Sequence, residues 1–211
     1  MKIIEPSSTL EEQINGMELI KKVERAGRTC YKSEDQISEV TAMNFVKKII
    51  TSGHESVLEH EKITVRVVCD RGVSHEIVRH RIASYSQEST RYCNYSKDRF
   101  NNELTFIKPY FWEDDSKQSK EKYLIWKSTM ETIEKNYFEL IKLGAEPQQA
   151  RSILPNSLKT EIVMTMNLRE WRHFFRLRTT LSAHPQIRQI ARPLLDKFKE
   201  VIPVVFDDIE Y

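Results

Sequence analysis

The sequence predicts an α+β fold in which long helices flank a mostly antiparallel sheet, organised as one domain over residues 1–211. Some segments repeat apolar residues every three or four positions, as helices do, whereas others alternate apolar and polar residues, as strands do. The two kinds follow one another without the regular alternation of a parallel α/β sheet. With only five glycines and seven prolines, and no linker-like or repeated segment, the chain offers no domain boundary.

The N-terminal third carries two helical segments and a strand. Apolar residues at helical spacing predict helices over 17–30 and 40–53, and Gly53 suits the C-terminus of the second. Alternating Ile, Val and Cys residues predict a half-buried strand over 61–70. This part of the chain is therefore expected to contribute two helices and one strand.

The C-terminal half is expected to hold two strands and three helices. Asn167 and Glu170 form a plausible capping pair for the second of these helices. Pro193 predicts a kink or a break in the third. In chain order, the predicted elements are a strand over 103–109, a long amphipathic helix over 117–143, a strand over 158–167, and helices over 168–178 and 185–200.

The stretch RHRIASYSQESTRY, residues 79–92, concentrates positive charge. Asp70 or Ser74 could cap a short helix over 73–81, so this stretch is expected to begin at the end of that helix and continue as a loop. It holds three arginines and four Ser or Thr hydroxyls but one carboxylate, Glu88. Arginine forks and hydroxyl groups together suit the oxygens of a phosphate. The pattern favours an anionic ligand, with a solvated basic surface as the alternative.

Composition excludes several classes of function. A formal net charge of +2 is not the chain-wide basic field common in nucleic-acid-binding domains. Neither the G-x-G-x-x-G pattern nor the P-loop pattern occurs. Three dispersed cysteines without a C-x-x-C pair fit a reducing compartment, and no run is apolar enough for a signal peptide or a membrane span. We therefore expect a cytoplasmic protein with no membrane partner.

A second basic cluster lies on the helix over 168–178. At about 100° per residue, Arg169, Arg172, His173 and Arg176 share one face, and solvent exposure is the expected state of Arg172 and Arg176. Arg178 instead points with the apolar face. Since a buried arginine needs an anionic partner, Arg178 is either the anchor of an internal salt bridge or a cation directed at a ligand.

Two further segments carry residue types of interest. GHESVLEH contains His54, Glu55, Glu59 and His60, but the spacing is not that of H-E-x-x-H, so hydrogen-bonded structural groups are expected rather than a metal site. Arg151 stands at a predicted helix end before Pro155 and could add an anion contact.

These segments together resemble the flavin-dependent thymidylate synthases. Arg79, His80 and Arg81, followed by seven residues and then Ser89, resemble the signature of that family. SGHESVLEH, ARSILPNSL, and MNLREWRHFFRLR with AHPQIRQIA resemble its upstream, middle and C-terminal segments, in the family's order, over roughly 52–191. Four positions depart from the commonest pattern, namely Glu76, Ser86, Gln87 and His173.

The resemblance implies a fold and a reaction. It implies the fold of that family and a homotetramer that shares its sites between subunits. The reaction would be methylation of dUMP to dTMP, with 5,10-methylenetetrahydrofolate as the carbon donor and NADPH reducing a bound FAD. No metal and no protein nucleophile would be needed, in keeping with Cys93, which has no neighbouring histidine or lysine in sequence.

The resemblance also assigns residues. Arg178 is the implied catalytic residue, placed against the uracil, where a cation favours ionisation at N3. The implied FAD-binding residues are Ser56, Arg79, His80, Arg81, Gln87, Asn167, Arg169 and His173. The implied dUMP-binding residues are Glu76, Arg79, Gln87, Glu88, Ser89, Thr90, Arg91, Arg151 and Arg178.

Two alternatives stay open at this stage. One is flavin-dependent methylation of a related pyrimidine nucleotide, because Ser86 and Gln87 depart from the family pattern. The other is an RNA- or single-strand-binding module in which the arginines contact phosphates and Tyr85, Tyr92 and Tyr95 stack on bases. The near-neutral charge argues against the second, so no nucleic acid is expected as a partner.

Overall fold

The computed structural model describes residues 1–38, 40–112 and 114–211 and combines helices with sheet, which confirms the α+β class. The helices are α1 Gly16–Tyr31, α2 Thr41–Thr51, α3 Arg71–Ile77, α4 Lys117–Lys142, α5 Pro147–Ala150, α6 Leu168–Arg178 and α7 Pro185–Val201. The strands are β1 Lys2–Ile4, β2 Ser7–Leu10, β3 Lys62–Asp70, β4 Ala83–Gln87, β5 Thr105–Ile107 and β6 Lys159–Asn167. No helix in the described part of the chain has the length and apolar character needed to cross a membrane.

The strands form two sheets. One has four strands in the order β2-β3-β6-β4, and the other pairs β1 with β5 in parallel, with Lys2 opposite Thr105. The parallel pair departs from the antiparallel pairing that the sequence favours. β1 and β2 are not among the predicted elements, because strands of three and four residues are too short to show a clear alternation.

The chain separates into two compact units, each assembled from discontinuous segments. We call them the first and the second unit. A single domain over 1–211 stays a prediction. The first unit comprises Met1–Ser7, Val67–Val78 and Ser86–Ile162, and the second comprises Ser8–Arg66, Arg79–Tyr85 and Val163–Tyr211.

The core of the first unit forms against the long helix α4. Tyr137 of α4 is fully buried, and its ring meets that of Tyr95 edge to face with centroids 5.9 Å apart. The Trp126 indole, in the N-terminal half of the helix, donates to Ser157 Oγ at 3.1 Å. The helix predicted over 117–143 is confirmed to within one residue, and Gly144 lies just beyond its C-cap with a positive φ of 92°, a conformation that suits glycine.

The core of the second unit is aromatic. Trp171 and Phe175 of α6 stack with centroids 5.6 Å apart, and Phe198 of α7 packs against both. The predicted apolar face of α6 is therefore confirmed. A kink or a break is predicted at Pro193, and α7 continues through this residue without a break, because the buried Ile190 and Leu194 on either side hold the helix against the core.

Side-chain caps fix where two of the helices begin. Asn167 Oδ1 accepts the backbone N–H of Glu170 at 2.8 Å, as predicted for the start of α6. Asp70 Oδ1 accepts the N–H of Val73 at 2.7 Å at the start of α3. Asp70 is thus the N-cap of α3, while Ser74 lies inside the helix and donates to Arg71 O.

The stretch 79–92 is not the loop that its composition predicts. α3 ends at Ile77, before Arg79, and β4 occupies Ala83–Gln87 inside the stretch. Along β4 the half-buried and exposed side chains alternate, as a strand requires. β4 lies at the end of the sheet order, so among the described strands it has a neighbour on one side only, where polar residues such as Ser and Gln are tolerated.

Arg172 corrects a second expectation. Its side chain is fully buried rather than exposed, and its guanidinium contacts Asp208 at 2.6 and 2.7 Å, Glu55 at 3.0 Å and the carbonyl of Val205. Arg176 is half exposed, as predicted, and pairs with the same two carboxylates at 3.2 and 3.3 Å. The periodicity of α6 could not reveal that the segment following α7 covers Arg172.

Replacing Arg172 by Met should destabilise the protein more than the same change at Arg176. Arg172→Met leaves Glu55, which is largely buried, without its main partner, while Asp208 is half exposed and recovers some hydration. We expect a loss of about 2–3 kcal/mol in the free energy of unfolding, at or below the lower end for breaking a buried ion pair. Arg176→Met, the matched control, should cost less than about 1 kcal/mol.

Urea unfolding at neutral pH measures both changes. Equal losses for the two variants would contradict the special role of the buried guanidinium.

Candidate functional site

The implied site residues divide between the two units, and each set is described on its own. The second unit holds Ser56, Arg79, His80, Arg81, Asn167, Arg169, His173 and Arg178. The first unit holds Glu76, Gln87, Glu88, Ser89, Thr90, Arg91 and Arg151. The second unit thus holds most of the implied FAD-binding residues, and the first unit holds most of the implied dUMP-binding residues. The exceptions are Arg79 and Gln87, which belong to both sets, and Arg178, a dUMP-binding residue in the second unit.

The N-terminus of α6 is held against the 3₁₀ helix Glu55–His60, which carries Ser56. The Leu168 N–H donates to Glu61 O at 3.0 Å, and Arg169 Nη1 donates to Glu59 Oε1 at 2.6 Å. Ser56 is exposed on this turn. The acidic residues of GHESVLEH thus serve as partners of α6 arginines, which agrees with the structural interpretation of that segment.

Arg79 and Arg81 lie between α3 and β4 with exposed side chains. Neither guanidinium has a hydrogen bond or ion pair with any residue that the structure describes. In this they contrast with Arg172, whose donors are taken up within the unit. Exposed arginines without carboxylate partners keep their donors available to an anion.

His80, between these two arginines, is buried, with 3% of its surface exposed. Its Nδ1 lies 3.2 Å from Glu170 Oε1, and its Nε2 lies 3.1 Å from Arg178 Nε. A guanidinium only donates hydrogen bonds, so Nε2 must be the unprotonated nitrogen and the proton sits on Nδ1. The Tyr85 hydroxyl donates to the backbone carbonyl of His80 at 2.6 Å, so the main chain of this residue is held as well as its ring.

The electrostatics of this cluster keep His80 neutral. Burial, reinforced by the charges of Arg178 and His173, lowers the pKa of His80 to about 4. Burial raises the pKa of Glu170, and His173 partly opposes that shift. Burial and the nearby Glu170 carboxylate raise the pKa of Tyr85 to about 12. At neutral pH the imidazole is an acceptor toward Arg178 and a donor toward Glu170.

His80, Glu170 and His173 place candidate metal-ligand atoms within 4.8 Å of one another. The His80 and His173 rings meet edge to face with centroids 5.5 Å apart. Both nitrogens of His80 already take part in hydrogen bonds, and a cation here would lie beside the positive charge of Arg178. Hydrogen bonding accounts for the cluster.

In the first unit, Gln87 at the end of β4 is oriented by two hydroxyl groups. Its Nε2 donates to Ser74 Oγ at 2.9 Å and to Thr160 Oγ1 at 3.1 Å. Ser74 gives its own proton to Arg71 O, so it must accept from Gln87, which identifies the amide nitrogen. Gln87 is thereby tied to α3, which carries Glu76. Within the described ranges no residue donates to Gln87 Oε1, which remains an acceptor for a ligand.

Glu88 is used inside the first unit. Its carboxylate accepts from the Tyr95 hydroxyl at 2.9 Å and from Lys159 Nζ at 2.9 Å. Burial, together with Glu88, raises the pKa of the Tyr95 hydroxyl. Burial opposes the charge of Lys159, but Glu161 and Glu88 outweigh it and raise the pKa of that ammonium group. Both oxygens of Glu88 thus have partners already, which makes it a support for the segment after β4.

A tight turn follows Glu88. Ser89 O accepts from the N–H groups of Tyr92 and Cys93 at 3.2 and 2.9 Å, and Ser89 Oγ accepts from Arg91 N at 3.3 Å. Thr90 is buried within the turn, whereas Arg91 is exposed with its guanidinium 5.2 Å from the centroid of the Tyr92 ring.

Arg151 is exposed on the 3₁₀ helix Arg151–Ile153. In the described part of the chain its guanidinium has neither an ion pair nor a hydrogen bond. The implied dUMP-binding residues of the first unit thus include two exposed arginines, Arg91 and Arg151.

Glu170 is the residue of the site that the sequence does not single out. It is recognised only as the partner of Asn167 in a helix cap, and its side chain is turned toward His80 instead. No local pattern around Glu170 predicts its contact with His80, because the two residues are 90 positions apart in the sequence.

Comparison with known proteins identifies the family. The family model described as thymidylate synthase complementing protein matches residues 14–204. A protein of Pyrococcus furiosus named flavin-dependent thymidylate synthase is 39% identical over 183 residues, which cover 85% of this chain and 72% of that protein. Proteins of the same name from Geobacter sulfurreducens and Corynebacterium diphtheriae are 36% identical over 190 residues and 37% identical over 206 residues. These matches cover 87% and 89% of this chain, and 78% of each relative.

The match extends over nearly the whole chain, including every segment that carries an implied site residue. The chain belongs to the family of the flavin-dependent thymidylate synthases.

Proposed function

We propose that this protein is a flavin-dependent thymidylate synthase that methylates dUMP to dTMP. The carbon donor is 5,10-methylenetetrahydrofolate, and NADPH is the reductant. The observation that carries the proposal is that the exposed arginines of the implied site, Arg79 and Arg81 in the second unit and Arg151 in the first, have no carboxylate partner among the described residues, in a chain of the thymidylate synthase family. Phosphates supply the anionic partners that the described residues do not.

The donor set of the second unit fits FAD. The guanidinium groups of Arg79 and Arg81 match the oxygens of a pyrophosphate, and the exposed Ser56 adds a hydroxyl group. Arg169 and His173, both exposed on α6, complete the residues that would hold the cofactor, together with Asn167 at the N-cap of that helix and the buried His80. When bound and reduced, FAD supplies the hydride of the reaction, and the protein supplies binding, orientation and electrostatics.

The residues of the first unit fit dUMP. Arg91 and Arg151 provide positive charge for its phosphate, and Ser89 stands at the head of the turn that presents Arg91. Gln87 Oε1 offers an acceptor fixed in place by Ser74 and Thr160. Thr90 is buried in the turn, Glu88 is bound by Tyr95 and Lys159, and Glu76 lies on α3, the helix that also carries Ser74.

Arg178 is the residue we assign to catalysis. Its Nε donates to neutral His80, so the guanidinium stays charged beside an uncharged partner rather than forming an ion pair with it. A cation directed at the uracil stabilises the anion that develops there, and it does so more strongly in a water-poor site than in bulk solvent.

No cysteine of this chain is required as a nucleophile in this scheme. Cys69 is buried, and burial raises the pKa of its thiol, which disfavours the thiolate. The three free cysteines fit the proposed cytoplasmic location. The proposal also includes a homotetramer with sites shared between subunits, supported by membership of the family.

One alternative substrate class deserves a test. Gln87 stands where the family often has Glu, and an uncharged amide changes the hydrogen-bonding pattern offered to the base. The same chemistry on a related pyrimidine nucleotide is therefore the second candidate, and product analysis with dUMP, dCMP and UMP separates the two.

The function is tested by visible spectroscopy of the purified protein with FAD, followed by anaerobic NADPH with and without dUMP. We expect flavin bands that survive desalting and bleach faster when dUMP is present, and dTMP once methylenetetrahydrofolate is added. A protein that retains no FAD and shows a steep loss of single-stranded RNA binding with added salt would instead support the nucleic-acid alternative.

Arg178→Ala should abolish dTMP formation while FAD stays bound, because the change removes the cation without touching Arg79 or Arg81. Arg178→Lys keeps a charge but loses the planar fork, so we expect it to recover only a small part of the activity. Turnover and flavin content are measured on the same samples. Normal turnover in the alanine variant would exclude the assigned role.

The two arginine sets should separate by ligand. Arg91→Ala and Arg151→Ala should weaken dUMP binding about 10- to 100-fold, the value of a charge-assisted hydrogen bond, and leave FAD affinity unchanged. Arg81→Ala should weaken FAD binding by a similar factor, whereas Arg79→Ala should weaken the binding of both ligands, because Arg79 belongs to both implied sets. The affinity for FAD is measured by titration with flavin fluorescence, and the affinity for dUMP is measured by titration calorimetry.

Arg176→Ala is the matched control, an exposed arginine that already has carboxylate partners. An equal effect of this control on either ligand would show that the losses reflect general charge.

A further inference from the structure

We infer that Glu170 is a positioning residue that acts through His80 to orient the guanidinium of Arg178. The inference rests on the proposed function, because it assigns a task to the arginine that the proposal places in catalysis. Glu170 belongs to none of the implied ligand-binding sets, and its side chain is buried between α6 and His80.

The three residues form a continuous line of hydrogen bonds. Glu170 Oε1 lies 3.2 Å from His80 Nδ1, and His80 Nε2 lies 3.1 Å from Arg178 Nε. Glu170 and Arg178 stand in the first and last turns of α6, so one imidazole links the two ends of the helix. Phe174 meets the His80 ring edge to face with centroids 5.0 Å apart and fixes the plane of the ring.

The contact with Arg178 requires one particular order of protons along this line. Guanidinium donates only, so His80 must present a lone pair at Nε2 and carry its proton on Nδ1. The atom facing Nδ1 must then accept a hydrogen bond, and a carboxylate oxygen accepts without being able to donate when ionised. A glutamate at position 170 therefore selects the one tautomer of His80 that can hold Arg178.

The charged groups around His80 agree with this order. Arg178 and His173 both disfavour a positive imidazole, and Glu170 is the carboxylate beside it. The hydroxyl of Tyr85 bonds to the backbone carbonyl and leaves both ring nitrogens to Glu170 and Arg178. A proton on Nε2 would set two N–H donors against each other at 3.1 Å and displace the guanidinium.

The consequence concerns orientation rather than binding. Nε is the donor nearest the side-chain stem, so a bond at Nε fixes the plane of the whole guanidinium. Small misplacements of a catalytic group cost up to about 100-fold in rate. Loss of the Glu170 acceptor should therefore lower kcat more than it changes the KM for dUMP.

The direct test is the tautomer of His80, measured by nitrogen-15 NMR of the FAD-loaded protein with labelled histidine at neutral pH. The His80 signals are identified by their loss in His80→Asn. We expect the Nδ1–H tautomer in the unaltered protein. An Nε2–H tautomer or an imidazolium there would overturn the inference without any variant of Glu170.

Glu170→Gln is the informative variant, because an amide can donate to Nδ1 as well as accept. We expect a mixture of tautomers and a kcat reduced about 10- to 100-fold, with the KM for dUMP within about threefold of the starting value. Glu170→Asp retains a carboxylate and should restore the Nδ1–H tautomer and part of kcat. Glu200→Gln, which removes an exposed partner of Lys197, is the matched control and should change neither quantity.

The outcomes separate this inference from the proposed function. An unchanged tautomer in Glu170→Gln overturns the positioning role, whether or not kcat falls, since any loss would then not pass through His80. A changed tautomer with unchanged kcat overturns it as well. Failure of the unaltered protein to form dTMP would overturn the proposed function while leaving the tautomer assignment intact.

Discussion

The second unit depends on a buried positive charge, that of Arg172. A guanidinium removed from water is costly unless its donors are satisfied, and here Glu55, Asp208 and the carbonyl of Val205 satisfy them. The arrangement ties α6 to the 3₁₀ helix Glu55–His60 and to the segment after α7. Ser56 follows Glu55 directly, so the same ion pair that stabilises the fold sets the position of an implied cofactor contact.

Arginines along α6 serve three different purposes, and their surroundings decide which. Arg172 is enclosed by two carboxylates and is structural, whereas Arg176 reaches the same carboxylates from solvent and contributes little. Arg178 faces a neutral histidine, so its charge is not cancelled at that contact. The residue type alone cannot distinguish these roles, because the distinction lies in what each guanidinium meets.

Local patterns in the sequence predicted most helices and the longer strands, since periodicity and caps such as Asn167 act within a few residues. The predictions that were wrong concern features that depend on distant parts of the chain. The periodicity of α6 predicts Arg172 in solvent because the segment that covers it lies beyond another helix, and the composition of β4 predicts a loop because an edge strand tolerates Ser and Gln. Resemblance to a family implies most residues of the site, whereas the contact of Glu170 with His80 joins residues 90 positions apart and leaves no local pattern in the sequence.

Some arginines of this chain are paired with carboxylates and others are not, and this difference is the physical argument for the site. Guanidinium groups that stabilise the fold are paired with carboxylates, as Arg28 is with Glu24 and Arg172 is with Glu55. Arg79, Arg81 and Arg151 have no such partner in the described part of the chain, although the sequence contains nearly as many acidic as basic residues. Placing donors on the surface without internal partners leaves their hydrogen-bonding capacity for an anion. Phosphates of a cofactor and a nucleotide meet that need, and they leave Arg178 to act on the base.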